Sequence, residues 1–240
     1  VGVCNFIANM QKLGMTSLQD DGCAEVGQPR NHGLALSLGA GEMPPLQMAG
    51  AFSTLANGGR YIAPYAITHI EDRKGNVLYD SLLPAETAPQ VVRPEHAYLL
   101  SSILSDNEAR LGEFGWNNLL NIPGYQVAVK TGTSGTSSDD VRDGWTIGYA
   151  PQVLAAVWVG NTDNRPIGYG QSGYLLAAPI WNQFMTSWLA GKEARGFARP
   201  PGIIDREICA DTGIAVDGAS TCTQRLIESF AADQPPQDPS

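Results

Sequence analysis

The sequence predicts an α+β fold, an antiparallel sheet flanked by helices, from three observations. Two apolar, strand-like runs, Gly144–Tyr149 and Val153–Val159, are joined only by the short turn "APQ", which makes them antiparallel neighbours. The stretch "PPLQMAGAFSTLANGG" opens on prolines, closes on Gly58-Gly59, and repeats its apolar residues every three or four positions, which is a helix with start and stop signals. A third periodic run, Ala177, Ile180, Trp181, Phe184, Met185 and Trp188, is an amphipathic helix that can cover the sheet.

The remaining elements follow in chain order. Residues 2–14, "GVCNFIANMQKLG", read as a helix ending at Gly14 in the left-handed conformation. Residues 15–43 are polar and glycine-rich, without a period. In the helix that follows, Met48, Ala51, Phe52, Leu55 and Ala56 form the stripe expected to be buried. "YAITHIED" and "NVLYDS" flank "RKG" as the arms of a hairpin. Residues 94–111 form a second helix, with Leu100, Ile103, Leu104 and Leu111 on its inner stripe. Gln126–Lys130 is a further strand, with Lys130 at its end. From Gly196 the pattern decays into "ARPPG", a cysteine loop and the tail "ADQPPQDPS", too polar and proline-rich to pack. The expected division is 1–195 as the main unit and 196–240 as a small appendage with a flexible tail.

Composition narrows the function. With 15 basic against 24 acidic residues the net charge is −9, and the basic residues are scattered, so a nucleic-acid partner is excluded. The longest uncharged apolar stretch, Val153–Val159, is too short to span a bilayer. The chain opens at Val1 rather than Met and carries no secretory signal, from which an internal piece of a longer polypeptide is expected. The four cysteines form no C-x-x-C pair and none has a histidine nearby, so neither zinc nor any other metal or cofactor is expected. Cys209 and Cys222 bracket the aperiodic loop "CADTGIAVDGASTC", which a disulfide would stabilise; such a bond would place the protein in an oxidising compartment. Two free buried thiols are the alternative. Cys4 and Cys23 are a second, weaker candidate pair.

The residues with chemistry in them are "VAVKTGTSGTSSDDVRDGWTIGYA". Gly132 lets another backbone or a ligand approach the strand closely. Lys130, with Thr131 and Thr133, suits an extended peptide lying along the strand edge with its terminal carboxylate held by an ammonium and two hydroxyls. A backbone N–H beside the glycine suits an oxyanion.

K-T-G is also the third of three signatures, S-x-x-K, S-x-N and K-T-G, of the penicillin-recognising serine acyltransferases. "LALSLGAGEMPPLQMAGAFSTLANGGRYIAPYAI", "DGWTIGYAPQVLAAVWVGNTDNRPI" and "AAPIWNQFM" resemble stretches of class A penicillin-binding proteins, the bifunctional peptidoglycan synthases, over roughly Val1 to Leu189. The resemblance implies the C-terminal portion of a penicillin-binding-protein/β-lactamase-like transpeptidase fold. It implies a serine-type D,D-transpeptidase of the cell envelope, on the outer face of the bacterial cytoplasmic membrane. Its partners would be D-alanyl-D-alanine stem peptides, with β-lactams as covalent inhibitors. Lys130 would be the catalytic residue, and Thr131, Gly132 and Thr133 would bind substrate. No serine here has a lysine three positions later, so the nucleophile is absent from this chain. A companion N-terminal fragment of the same protein would supply it, and the fragment by itself would be inactive.

Other features compete. Ser105-Asp106-Asn107 spells S-x-N but sits only 25 residues before Lys130, at the end of a helix, and reads as a polar turn. "GTSGTSS" lacks the lysine and helix of a phosphate loop. His32, His69 and His96 are isolated. Trp145 and Trp158 read as sheet packing, and Asp139, Asp140 and Asp143 as a solvated loop tip rather than a metal cluster. A secreted β-lactamase and a non-catalytic envelope scaffold of the same fold are the alternative functions.

Overall fold

The computed structural model describes residues 2–19, 22–23, 27, 32–81, 87–216 and 222–238. Val1, the middle of the cysteine loop and the last two residues of the tail lie outside the described residues. Its elements are α1 (Val3–Lys12), a 3₁₀ turn (Leu34–Leu38), α2 (Pro45–Ala56), β1 (His69–Glu71), β2 (Val77–Asp80), α3 (Pro94–Ser105) and α4 (Leu111–Phe114). Then come β3 (Ala128–Ser134), β4 (Asp143–Ala150), β5 (Val153–Gly160), α5 (Gly173–Leu176), α6 (Ala178–Leu189), β6 (Ile203–Cys209) and β7 (Arg225–Ala231).

The central sheet is antiparallel in the order β3-β4-β5. Helix α6 lies on one face, where Ala178, Trp181, Met185 and Leu189 pack with Val127, Val129 and Ala150 in a dry core. Burial of these side chains is the main term holding helix to sheet, roughly 1.5–3 kcal/mol for each large apolar residue. Ala177 is also buried, but Ile180 and Phe184 point outward and Trp188 is half-buried, so the inner stripe is narrower than the periodicity predicts.

Helices α2 and α3 cover part of the opposite face. Two stripes differ here from the sequence reading. In α2 the fully buried residues are Gly50, Ala51 and Thr54, with Met48, Phe52, Leu55 and Ala56 half-buried. In α3 the inner residues are Ala97 and Ser101, while Leu100 and Ile103 are exposed. The reason is Tyr149, a fully buried ring on β4 that meets Phe52 and Phe197 edge-on. Small side chains on α3 leave room for it, and Ser101 Oγ lies 2.9 Å from its hydroxyl. Burial pushes the Tyr149 phenol above its ordinary pKa. The helix also ends earlier than predicted, at Ser105, where the Asp106 carboxylate turns back to accept from the amides of Glu108 and Ala109.

Tyr149 and Ser101 yield an asymmetric pair of expectations. In Tyr149→Phe, Ser101 still donates to the Ala97 carbonyl, so the loss is one hydrogen bond, about 1 kcal/mol. In Ser101→Ala the buried phenol loses the partner it has in the structure, and the cost rises toward about 3 kcal/mol. Urea unfolding of both variants checks the order.

Outside the sheet, α1 packs Ile7 with Met15, Leu18, Leu36 and Ala51 in a second small core. Gly14 follows the helix with φ +86°. Cys4 and Cys23 are paired, their Cα atoms 5.7 Å apart. The hairpin β1–β2 is present and exposed along both strands.

The C-terminal region is more ordered than its sequence suggests. β6 and β7 form an antiparallel hairpin of seven residues per strand, and Cys209 pairs with Cys222 at its loop end, Cα atoms 5.6 Å apart. The described part of the tail is mostly exposed but tied to the hairpin by backbone bonds: the Ala232 amide donates to the Gly202 carbonyl and the Ala215 amide to the Gln237 carbonyl. Arg93, before α3, makes a two-pronged bond to Asp233 at 2.8 and 2.9 Å.

Candidate functional site

Lys130 is not at the end of a strand. β3 continues through the K-T-G-T string to Ser134, because β4 supplies a ladder partner for every residue of it, from Lys130↔Ile147 to Ser134↔Asp143. The polar stretch lacks the apolar alternation that marks a strand, so its pairing is visible only in three dimensions.

The pairing fixes which groups are free. Gly132 is opposite Trp145, and the Gly173 Cα sits so close above this pair that an added Cβ would strike the Gly132 carbonyl and the Trp145 backbone N and O. These groups therefore meet between the strands as a hydrogen-bonded pair. Backbone groups alternate along an antiparallel strand, so the N–H and C=O of Thr131 and Thr133 face the other way, toward the outer edge. Among the described residues β3 has no strand on that edge.

The side chains complete the edge. The Lys130 side chain is exposed, and its ammonium donates to the outward Thr131 carbonyl at 2.8 Å, which draws the charge over the free edge. Among the described residues Gly132 meets no steric wall: an added Cβ would find the Trp145 Cβ at 3.5 Å, an ordinary contact. Thr133 Oγ1 accepts the Gly173 N–H at 2.9 Å. A hydroxyl that accepts one N–H keeps its own hydrogen for another acceptor, so Thr133 is set as a donor. Gly173, at the first turn of α5, is fixed in turn by Thr146, whose hydroxyl donates to its carbonyl at 3.2 Å.

Beyond Gly132 the edge is braced by the β3–β4 loop. Asp139 is exposed, but Asp140 and Asp143 are not part of a solvated tip. Asp140 accepts from Arg142 and Thr136, bonds that hold its carboxyl below its ordinary pKa. Arg142 also donates to the Asn164 carbonyl at 2.8 Å, and the Ile167 amide donates to the Val141 carbonyl at 2.7 Å. Asp143 accepts from Ser134 Oγ and, at 2.8 Å, from the Trp158 indole. Neither Gly173 nor Asp143 could be found from sequence, since each contacts Thr133 or Ser134 through pairings set by the fold.

The competing features resolve into structure. Ser105 donates to the Ser102 carbonyl, Asp106 caps the following turn and Asn107 accepts from Asn118, so S-D-N is a helix-ending turn. Trp145 and Trp158 are cross-strand partners with ring centroids 6.5 Å apart. His69 lies between Glu71 and Asp80, His96 beside Gln234, and His32 lines an open cleft with Ser17 and Glu42. Among the described residues a single group has metal-ligand spacing, Cys209, Asp211 and Cys222. Its sulfurs are joined to each other and offer no thiolate.

The architecture is a three-stranded antiparallel sheet with helices on both faces and the K-T-G string on an edge strand. Residues 14–186, more than half of the chain, match the family described as penicillin binding protein transpeptidase domain. The chain belongs to that family. It is 30% identical over 203 residues to penicillin-binding protein 1A of Neisseria gonorrhoeae, covering 80% of this chain and 24% of the relative. With the penicillin-binding protein 1A of Pseudomonas aeruginosa it shares 31% identity over 232 residues, covering 77% of this chain and 27% of the relative. The chain thus spans about a quarter of the length of these relatives. The crystal structure of penicillin-binding protein 1A from Haemophilus influenzae matches with a TM-score of 0.76 at 26% identity, covering 98% of this chain and 37% of that one. PonA1 from Mycobacterium tuberculosis in complex with penicillin V matches with a TM-score of 0.63 at 27% identity, covering 80% of this chain and 52% of that one. The fold is that of penicillin-binding-protein transpeptidase domains.

Proposed function

We propose that this chain is the K-T-G portion of a peptidoglycan D,D-transpeptidase. The observation that carries the reading is the free outer edge of β3, where the Thr131 and Thr133 backbone groups face outward beside the Lys130 ammonium. An extended stem peptide adds to such an edge as a strand, and its terminal D-alanine carboxylate meets Lys130 with the Thr131 and Thr133 hydroxyls. The Thr133 N–H is the oxyanion donor. Gly132, unhindered within the chain, leaves the edge low enough for the peptide backbone to approach.

The nucleophile is a serine on a segment of the same protein outside residues 1–240. It attacks the D-alanyl-D-alanine carbonyl, releases the terminal D-alanine, and hands the acyl group to the amine of a second stem peptide. β-Lactams acylate the same serine as substrate mimics. The two cysteine pairs support an oxidising location, the outer face of the cytoplasmic membrane. Among the described residues no helix is long and apolar enough to cross a membrane. The division into 1–195 and an appendage at 196–240 is part of the same proposal.

The test is to label the protein that contains this chain with a fluorescent penicillin and map the adduct by peptide mass. A long-lived adduct on a serine outside residues 1–240 is expected. An adduct on Ser105 or a loop serine of this chain would overturn the assignment, rapid turnover would indicate a β-lactamase, and no adduct would indicate a scaffold.

A further inference from the structure

The far end of the K-T-G-T edge is held by one carboxylate that spans three strands. Asp143 on β4 is the ladder partner of Ser134 on β3, and cross-strand partners share a face of the sheet. Ser134 Oγ donates to Asp143 Oδ2, and Trp158 on β5 donates its indole N–H to Asp143 Oδ1 at 2.8 Å. The indole can reach this far because its ring lies over Gly160, where a Cβ would run into it. Gly160 is the β5 partner of Asp143, so all three groups meet on one row of the sheet.

β3 needs such a tie. It is an edge strand with a ladder on one side, and glycines at 132 and 135 flank the two residues Thr133 and Ser134. Glycine-rich edge segments are weakly specified in position. The Thr133 hydroxyl is located by Gly173 from one face of the sheet, and Ser134 is located by Asp143 from the other.

We propose that Asp143 is a positioning residue for the acylation step: through Ser134, and anchored on Trp158, it holds the Thr133 amide at the place where the oxyanion forms. This rests on the reading of Thr133 given above. Asp143 touches neither substrate nor nucleophile in this scheme. Its role is geometric, and asparagine can fill it. In Asp143→Asn the amide oxygen accepts from the indole and the amide nitrogen donates to Ser134 Oγ, reversing the polarity of that bond without moving it. Alanine at 143 breaks both links.

The experiment measures penicillin acylation by the full protein containing this chain, separating the limiting acylation rate from the dissociation constant of the preceding complex. D143A is expected to lower the limiting rate about 10- to 100-fold, as misplacement of a reacting group by about an ångström does, with the dissociation constant within about threefold. D143N is expected to restore the rate to within about threefold of the parent, as a like-shaped amide keeps both bonds. Parental rates in D143A, or a D143N as slow as D143A, would overturn the proposal. Should D143A fail to fold, S134A removes the same link while leaving Asp143 bonded to Trp158, and is expected to show the same fall. K130A in the same assay separates the two levels. If K130A acylates normally, the reading of the edge itself is wrong; if K130A is inactive and D143A and S134A are normal, only the role of Asp143 is wrong.

Discussion

Replacing Lys130 by alanine should reduce penicillin acylation of the full protein by about 10²–10³-fold, the usual consequence of deleting a group that faces developing or bound negative charge. It should do so without measurable loss of fold stability. The side chain is exposed, and its bond among the described residues is to the outward Thr131 carbonyl, so its removal leaves no buried group there unpaired. Substitutions of this kind stay within about 0.5 kcal/mol. Two further variants separate charge from shape. Lys130→Gln keeps a donor and loses the charge, and should behave nearly as alanine does. Lys130→Arg keeps the charge but spreads it over a planar fork that cannot fold back onto the next carbonyl as a compact ammonium does, so partial activity is expected. Salt dependence is a further signature. An ammonium acting on a carboxylate in an open groove is screened by added salt, so binding should weaken between low and physiological ionic strength. A K130A protein that labels within a few fold of the parent would remove the basis for the substrate edge.

The parts of this fold legible in the sequence are those whose signals are local. Pro45 and Gly58-Gly59 delimit α2, and the two-residue connection at Pro151-Gln152 forces β4 and β5 to pair. The period of Trp181 and Met185 marks α6 as the sheet's cover. Features that a distant partner decides carry no such signal. The inner face of α3 is not legible locally, because Tyr149, far along the chain, selects Ala97 and Ser101 over Leu100 and Ile103. The second half of β3 carries no local signal, because its strand character comes from pairing rather than from composition. β6 and β7 are hidden in the sequence because the connection between them is long and closed by a disulfide, so no tight-turn signal announces the hairpin. At the candidate site the same division holds. The K-T-G string could be read directly, whereas Gly173 and Asp143, which locate Thr133 and Ser134, carry no motif of their own.

Trp181→Ala should produce the largest loss of stability, about 3–5 kcal/mol, as deletion of a buried aromatic ring typically does. The ring is fully buried on α6 and fills the space above Gly148, where a Cβ would collide with it. The β4 backbone below is fixed by ladders on both sides and cannot sink into the gap. Against a total of about 5–15 kcal/mol for a domain, that loss brings the protein close to unfolding at 37 °C. The consequence for the site is specific. α5 runs directly into α6, and its Gly173 N–H holds the Thr133 hydroxyl, so loosening α6 frees the inner support of the K-T-G edge. Trp181→Phe retains most of the ring and should cost less, about 1–3 kcal/mol, with labelling in proportion to the folded fraction. The complementary change, Gly148→Ala, drives a methyl into the same ring and should destabilise by overpacking, about 1–3 kcal/mol. Urea unfolding followed by tryptophan fluorescence and by penicillin labelling gives the comparison. If Trp181→Ala unfolds at the parental urea midpoint, α6 is not what holds the sheet, and the support of Thr133 through Gly173 must come from elsewhere.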